Sequence, residues 1–223
     1  MRFVDRFDAG RQLVALLRSY RDRHPIVIGL VHGGVPVASE VAAALRAPLE
    51  VWVARKIRVP GNDDATLGAV SEGGALSLNR EVVGRVGLSD TELAGLIARE
   101  QHEVARAARV LRCGSRSDLR GQVVILVDDG VATGATVRAA ALSIRAQEPR
   151  EIVLAVPVAS LEAIAELRAD FDHIVCLDAE PMLLAIGSRY RDFRRVSSAE
   201  IVSLLNDREV RQAEPSGSAA VKL

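Results

Sequence analysis

Two neighbouring carboxylates, Asp128 and Asp129, stand between an apolar run at 123–127 and a turn of small residues. Such a run is typical of a strand buried in a parallel sheet, and ligands bind beyond the carboxyl ends of such strands. Small residues and hydroxyls before a helix suit a phosphate, whereas carboxylates accept hydrogen bonds from ribose hydroxyls. The pattern therefore predicts a site for a phosphorylated ribose, with a divalent cation offsetting charge. The turn comprises Gly130, Val131, Ala132, Thr133, Gly134, Ala135 and Thr136.

Two common nucleotide-binding motifs do not fit these residues. A Walker A loop requires a lysine before its final threonine, and this chain has Ala135 at that position. A dinucleotide-binding fingerprint requires the spacing G-x-G-x-x-G, which the sequence lacks. An acidic turn that only caps a helix stays open as the alternative to a ligand site.

A second candidate for anion binding follows the first apolar run of the chain. There His32, Gly33 and Gly34 precede a predicted helix at 37–45. Glycines let successive N–H groups face an anion, and the helix dipole adds to the attraction. Alone, such a turn more often connects strand and helix without binding a ligand. Together with the acidic loop, it favours a phosphate site.

A third candidate is basic. Arg55 and Lys56 close the apolar run 49–54, and cations at the carboxyl end of a strand can reach a shared crevice. A solvated basic edge is the alternative. The next stretch, 59–79, predicts a hairpin with strands at 67–70 and 75–78.

These segments need a sheet that brings their strand ends together. Short apolar runs alternate with stretches of helical spacing, which predicts an α/β fold with an open, mainly parallel, twisted sheet flanked by helices. A charged helix at 89–112, opened by a capping box, is predicted to be an insertion or a dimer element. The predicted strands of the sheet are 26–31, 49–54, 123–127, 152–158 and 173–177, and the other predicted helices are 8–23 and 198–207.

The segment from Asp128 to Thr136 resembles the loop that binds phosphoribosyl pyrophosphate (PRPP) in type I phosphoribosyltransferases. The resemblance implies that Asp128 and Asp129 hold the ribose hydroxyls and that residues 130–136 wrap the 5′-phosphate. It also implies Mg²⁺ carried with PRPP rather than held by direct protein ligands.

The other candidates take roles from the same resemblance. His32, Gly33 and Gly34 look like the pyrophosphate loop, in which a strained or cis non-proline peptide often presents the amides, although many relatives have Arg or Lys in place of His32. Arg55 and Lys56 are then assigned to stabilising the leaving pyrophosphate. The hairpin falls where the family has a mobile loop that closes over PRPP.

The resemblance further implies a small C-terminal hood at 178–210 that selects the acceptor together with the N-terminal segment. Tyr190 and Phe193 could stack on a nucleobase there, although packing in the core is the better-supported alternative. The implied reaction moves a 5-phosphoribosyl group to a nucleobase or other nitrogen acceptor with release of pyrophosphate. Ala132 departs from the aspartate of 6-oxopurine enzymes, and the resemblance is closest to bacterial proteins whose acceptor is undefined.

Two other functions stay open, a PRPP-sensing regulator without turnover and another kind of phosphosugar enzyme. The balance of 29 basic and 29 acidic residues argues against a nucleic-acid partner. No apolar stretch suggests a membrane span, and two distant cysteines, Cys113 and Cys176, indicate a reducing compartment, so we expect a cytoplasmic protein. We expect one domain at 1–211, a disordered tail at 212–223 and, from the family, a homodimer.

Overall fold

The computed structural model describes residues 2–111, 117–183 and 185–213. Its strands are β1 (Ile26–Leu30), β2 (Leu49–Trp52), β3 (Ala54–Val59), β4 (Asn62–Ser71), β5 (Leu76–Leu78), β6 (Val123–Val127), β7 (Glu151–Ser160) and β8 (His173–Glu180). Its helices are α1 (Arg6–Leu17), α2 (Gly34–Leu45), α3 (Arg80–Val86), α4 (Asp90–Leu111), α5 (Ala135–Arg145), α6 (Leu161–Leu167) and α7 (Ser198–Ala213).

Five strands form one parallel sheet in the order β2-β1-β6-β7-β8. β1, β6 and β7 are buried along their whole length, as expected for strands covered on both faces. Strands β1 and β6 are neighbours, and Gly29 pairs with Val127. The loops that follow these two strands therefore leave the sheet at the same edge, and the predicted α/β fold is confirmed.

Two hydrophobic layers cover the main sheet. Helices α1 and α2 contribute Leu13 and Val41 to one layer, and α5 and α6 contribute Ile144 and Leu167 to the other. A third cluster joins the small sheet to α2, α4 and α7 and includes Val104. The predicted insertion α4 therefore packs through an apolar stripe, and its start carries the predicted capping box, in which Ser89 and Glu92 exchange hydrogen bonds.

The prediction of a single strand at 49–54 was wrong. β2 ends at Trp52, and β3 begins a separate antiparallel sheet in the order β3-β4-β5. The chain leaves the main sheet because Val53 pairs with buried Glu72: its N–H donates to Glu72 Oε1 at 2.8 Å, and its carbonyl accepts from the Glu72 N–H at 2.9 Å. Arg55 and Lys56 therefore belong to β3 and not to the edge of the main sheet. The predicted hairpin is confirmed in β4 and β5, with β4 longer than expected.

The ends of the chain differ from the predictions at their boundaries. α1 begins at Arg6, capped by Asp5, and ends at Leu17, where a 3-10 turn continues to Arg23. β8 extends to Glu180, so the first residues of the predicted hood belong to the main sheet. The first two residues of the predicted tail, 212 and 213, lie in α7, while 214–223, Cys113 and Leu184 lie outside the described residues.

Candidate functional site

The glycine turn after β1 and the acid pair after β6 touch each other at the carboxyl ends of their strands. A Cβ added to Gly33 would stand 1.8 Å from Asp129 Oδ2, and one added to Gly34 would stand 2.4 Å from the Val127 carbonyl oxygen. These glycines therefore allow the turn after β1 to pack directly against the acid pair after β6. The sequence indicated each loop separately, and the pairing of β1 with β6 brings them together.

The cis peptide suggested by the family resemblance is present between Val31 and His32. The His32 side chain is exposed and lies near two cations on different elements, Arg55 in β3 and Arg195 beyond β8. Burial, followed by the charges of Arg195 and Arg55, lowers the pKa of His32 below its ordinary value of 6.5. This shift favours the neutral imidazole, which would contribute little positive charge to an anion bound there.

Asp129 is the more enclosed of the two acids. Its side chain accepts a hydrogen bond from Arg6 Nε at 2.7 Å, in an ion pair whose side chains are 10% and 11% exposed. Asp128 is partly exposed, and its Oδ1 accepts from the Asp129 N–H at 2.9 Å. The acid pair thus presents one carboxylate paired with a cation and one that has no such ion pair among the described residues.

Burial dominates the protonation of both acids. Loss of water raises the pKa of Asp129, and the nearby Arg6 guanidinium opposes that rise. The pKa of Asp128 rises further above its ordinary value because of burial and the Asp129 charge, opposed by Lys56 and Arg6 at longer range. A ligand that donates hydrogen bonds to these carboxylates would favour their charged forms.

The loop after the acid pair is held against β7. The Val131 N–H donates to the Val158 carbonyl and its carbonyl accepts from the Ser160 N–H, both at 2.9 Å. Ser160 Oγ donates to the Ala132 carbonyl at 2.8 Å. Gly134 then adopts a positive φ of 76° directly before α5 and gives that helix no side-chain cap. The first N–H groups of α5 are consequently oriented toward the loop, where an anion would be attracted.

Within this loop, the side chains differ in exposure. Val131 is buried, Ala132, Ala135 and Thr136 are partly exposed, and Thr133 is exposed. A Cβ at Gly130 would approach Ile186 and Val158 within 3 Å, so this glycine permits the hood to lie close to the loop. The predicted phosphate-binding residues thus form one continuous turn anchored at both ends.

The predicted cations of β3 are more exposed than the acids. Arg55 Nε donates to Glu100 Oε2 of α4 at 2.7 Å, so the inserted helix holds this guanidinium. Lys56 is exposed, and its charge acts on both Asp128 and Asp129. Of the two, Lys56 is thus oriented by fewer contacts among the described residues and is the freer cation near the acids.

The two aromatic residues proposed for the acceptor lie beside the acid pair. Tyr190 is 2% exposed, its ring is near Phe3 and Phe193, and its hydroxyl donates to the Asp129 carbonyl at 2.6 Å. This burial favours the core-packing alternative for Tyr190. Phe193 keeps 37% exposure, but the Arg6 guanidinium lies 3.8 Å from its ring centroid. Stacking of an acceptor on Phe193 stays a prediction.

Sequence reasoning missed two cations of this region. Arg6 lies 123 residues before Asp129, and no local pattern in the first helix distinguishes it from its charged neighbours. Arg195 follows directly on the aromatic segment that drew attention to the hood, so a basic residue there was within reach of the sequence argument. Arg6 lies on the N-terminal segment and Arg195 on the C-terminal segment. A β-bridge between Phe3 and Tyr190 joins these two segments.

No helix among the described residues has the length and apolar character of a membrane span. Within the same residues, no three His, Cys, Asp or Glu side chains cluster so that they could hold a metal ion. The site offers two carboxylates, which can accept hydrogen bonds from hydroxyls, and backbone N–H groups and cations, which can bind anions.

Comparison with known proteins identifies relatives of this chain. A family model for the phosphoribosyl transferase domain matches residues 6–183. Two proteins from strains of Mycobacterium tuberculosis, each provisionally named a phosphoribosyl transferase, are 40% identical over 205 residues, which is 92% of this chain and 46% of theirs. The chain therefore spans less than half the length of these curated relatives.

A solved structure resembles this chain in both sequence and fold. The crystal structure of TT1426 from Thermus thermophilus is 39% identical in sequence and superposes with a TM-score of 0.76. The similarity covers 93% of this chain and 99% of the other. Since both the family model and these relatives match most of its length, the chain belongs to the phosphoribosyltransferase family.

Proposed function

We propose that the chain binds Mg-PRPP and transfers its 5-phosphoribosyl group to a nucleobase or other nitrogen acceptor, releasing pyrophosphate. The observation that carries the proposal is the contact between Gly33 and the Asp129 carboxylate, which joins two loops into one crevice. This crevice offers carboxylates for ribose hydroxyls and backbone N–H groups for phosphates. A sugar that carries phosphates at both ends matches both sets of groups.

The acid pair would hold the ribose ring. Asp129 uses Oδ2 for Arg6, so a ribose hydroxyl would meet its other oxygen, and Asp128 would accept from the second hydroxyl. The 5′-phosphate would then bind the turn from Gly130 to Thr136 and the first N–H groups of α5. Holding both ends of the sugar orients C1 toward the crevice and lowers the entropic cost of reaction.

The residues after β1 and in β3 would bind the pyrophosphate. The reaction breaks the bond from C1 to the pyrophosphate oxygen and forms a bond from C1 to the acceptor nitrogen, whose proton passes to solvent. Backbone N–H groups at Gly33 and Gly34, with Lys56 and Arg55, would stabilise the charge that develops on the leaving oxygen. Mg²⁺, held by the oxygens of PRPP, would neutralise part of the same charge.

We further propose that the acceptor enters between the hood and the acid pair, and that the protein is a homodimer as in its family. Phe193 is the aromatic residue with an exposed surface there. Sedimentation equilibrium of the purified protein would test the second proposal. A monomer at every concentration would refute it.

The test of the activity is release of pyrophosphate from PRPP in the presence of Mg²⁺, measured across purines, pyrimidines and small amines. The Asp128→Asn/Asp129→Asn double variant serves as the inactive control. Asp172→Asn is the matched control for loss of a carboxylate, because Asp172 stands just before β8, at the opposite edge of the sheet. We expect release that depends on one acceptor, persists in Asp172→Asn and disappears in the double variant.

Other outcomes would identify other functions. Binding of PRPP by calorimetry without turnover for any acceptor would favour the PRPP-sensing regulator. Equal affinity for ribose 5-phosphate and PRPP would favour a different phosphosugar enzyme. Absence of PRPP binding at millimolar concentration would refute the proposal.

A further inference from the structure

Arg6 connects three parts of the molecule that are far apart in the sequence. It is a residue of α1, only 9% exposed, and its Nε donates to Asp129 Oδ2 at 2.7 Å. Its Nη1 donates to the Arg194 carbonyl at 2.8 Å, and its guanidinium carbon lies 3.8 Å from the centroid of the Phe193 ring. One side chain thus contacts the acid pair, the hood backbone and the hood aromatic.

The geometry of these contacts requires a guanidinium. A planar fork can donate in two directions within its plane while its face lies on an aromatic ring, and an ammonium cannot do all three. The space is also tight, because a Cβ on Gly33 would stand 3.0 Å from Arg6 Nε. The pyrophosphate turn therefore packs against the ion pair itself.

Stability alone does not account for such a pair. Burying two charges costs several kcal/mol in desolvation, and apolar residues of similar volume often stabilise a protein more. The hood is already joined to the N-terminal segment by backbone hydrogen bonds, from Phe3 N–H to the Arg189 carbonyl and from Arg191 N–H to the Phe3 carbonyl, both 2.8 Å. The distinctive effect of Arg6 is on the orientation and charge of Asp129.

We propose that Arg6 is a positioning residue, which fixes the Asp129 carboxylate for the ribose hydroxyls and secures the hood segment 190–194 beside it. The inference rests on the proposed function, because it assigns the sugar of PRPP to Asp129. Arg6 touches no reacting atom in this scheme. It acts on binding through Asp129 and on the acceptor side through Phe193 and the Arg194 backbone.

The charges around Asp129 support this role. Arg6 faces it from α1, Asp128 is its neighbour on the same loop, Lys56 acts from β3 and the Tyr190 hydroxyl lies near from the hood. Arg6 counters the effect of burial on the pKa of Asp129 more strongly than Lys56 does. Without Arg6, Asp129 would stay protonated to higher pH and would be a weaker acceptor for its ribose hydroxyl.

The test compares Arg6→Lys with wild type in PRPP affinity, measured by calorimetry with Mg²⁺ between pH 5.5 and 8.5. Arg23→Lys is the matched control, since Arg23 also forms a partly buried ion pair, with Glu151 at the start of β7, at the opposite edge of the sheet. We expect Arg6→Lys to weaken PRPP binding roughly 10-fold or more at pH 7, the loss typical of a hydrogen bond to a charged group. The fall of PRPP affinity on the acidic side should begin at a higher pH in Arg6→Lys than in wild type. Arg23→Lys should change neither the affinity at pH 7 nor this pH dependence.

A double-mutant cycle with Asp129→Asn separates positioning from general stability. If Arg6 acts through Asp129, Arg6→Lys should have little further effect on PRPP affinity in the Asp129→Asn background. Additive losses in the cycle, or an Arg6→Lys variant with wild-type affinity and pH dependence, would overturn the inference. If wild-type protein itself fails to bind PRPP, both the proposed function and this inference are refuted. If wild type binds PRPP but the Arg6 variants behave as just described, only the role of Arg6 is refuted.

Discussion

The two charged segments that we assign to PRPP are built in opposite ways. The acid pair lies in a crowded loop, where Asp129 is 8% exposed and touches the Gly33 turn and Arg6. The basic strand β3 belongs to a separate three-stranded sheet, and its Lys56 is exposed to solvent. The enclosed charges interact strongly but cost folding free energy, whereas exposed charges cost little and are screened by salt.

This difference suggests a division of labour. In the proposed reaction the acids would hold a neutral sugar in one orientation, which favours a rigid site shielded from water. The cations would bind a leaving group that later departs, which suits a solvent-exposed side chain such as that of Lys56. Changes in the acid loop should therefore alter both stability and binding, and changes in β3 should alter binding alone.

The largest effect is expected for Asp128→Asn. The amide keeps the size of the side chain and an oxygen for the Asp129 N–H. It loses the charge that, in the proposed reaction, would accept from ribose and stabilise a cationic sugar. We expect turnover to fall by about 10²–10³-fold, as for loss of one strong electrostatic contact to a transition state. Steady-state rates with saturating PRPP measure it, and a loss below threefold would contradict the role of Asp128.

The same variant should be more stable than wild type without ligand. Because the pKa of Asp128 is raised in the folded protein, folding favours its protonated form. As pH rises from the ordinary value of 3.8 through the raised pKa, the unfolded state releases this proton first and wild type loses stability. We expect Asp128→Asn to melt at a higher temperature at pH 7, with the difference shrinking toward pH 4. A lower melting temperature at pH 7 would refute the buried-charge argument.

The next effect concerns the contact between the loops. Gly33 has φ −70° and ψ −29°, which alanine adopts freely, so Gly33→Ala tests the added Cβ alone. Because that Cβ would overlap Asp129, we expect a loss of about 1–3 kcal/mol in unfolding free energy and weaker PRPP binding. Chemical denaturation and calorimetry measure the two quantities.

Gly84→Ala is the matched control for this change. Gly84 lies within α3 with nothing within 4 Å of an added Cβ, so alanine there should raise stability by up to about 1 kcal/mol. If both variants behave alike, the close packing of the two loops has no energetic consequence.

A smaller effect, without loss of stability, is expected in β3. Lys56→Ala should lower kcat/KM for PRPP by roughly 10–100-fold, the value of a hydrogen bond to a charged group, while the melting temperature stays unchanged. Arg58→Ala is the control on the same strand, also exposed, and its charge does not contribute to the shifted pKa of either acid. Equal losses in both variants would show that β3 acts as a general basic surface.

The smallest effect on PRPP binding is expected for Tyr190→Phe. It removes the hydrogen bond to the Asp129 carbonyl and leaves that buried oxygen without its donor, so we expect a loss of about 1–3 kcal/mol in unfolding free energy. PRPP affinity should fall no more than threefold, since the acid side chains keep their contacts. A change in the KM of the acceptor alone would instead support the acceptor role first proposed for Tyr190.

Much of the site was accessible from short sequence patterns. The apolar run at β6, the acids at its end and the glycines after β1 each lie within a few residues, and their local chemistry indicated a phosphate-binding loop. The course of the chain after Trp52 was not accessible, because the bend depends on Val53 meeting Glu72, nineteen positions away. Strand periodicity carries no signal for such a side-chain contact.

The sequence by itself determined the types of groups in this protein and the local order of strand, loop and helix around them. Periodicity and turn chemistry act over a few residues, so they can be recognised without knowing the fold. Only the tertiary structure decided which groups meet: it placed Gly33 against Asp129, Arg6 beside the same carboxylate and Lys56 on a separate sheet. The physical reason is that contacts between distant residues depend on how whole elements pack, and many arginines of similar local context could have filled the place of Arg6.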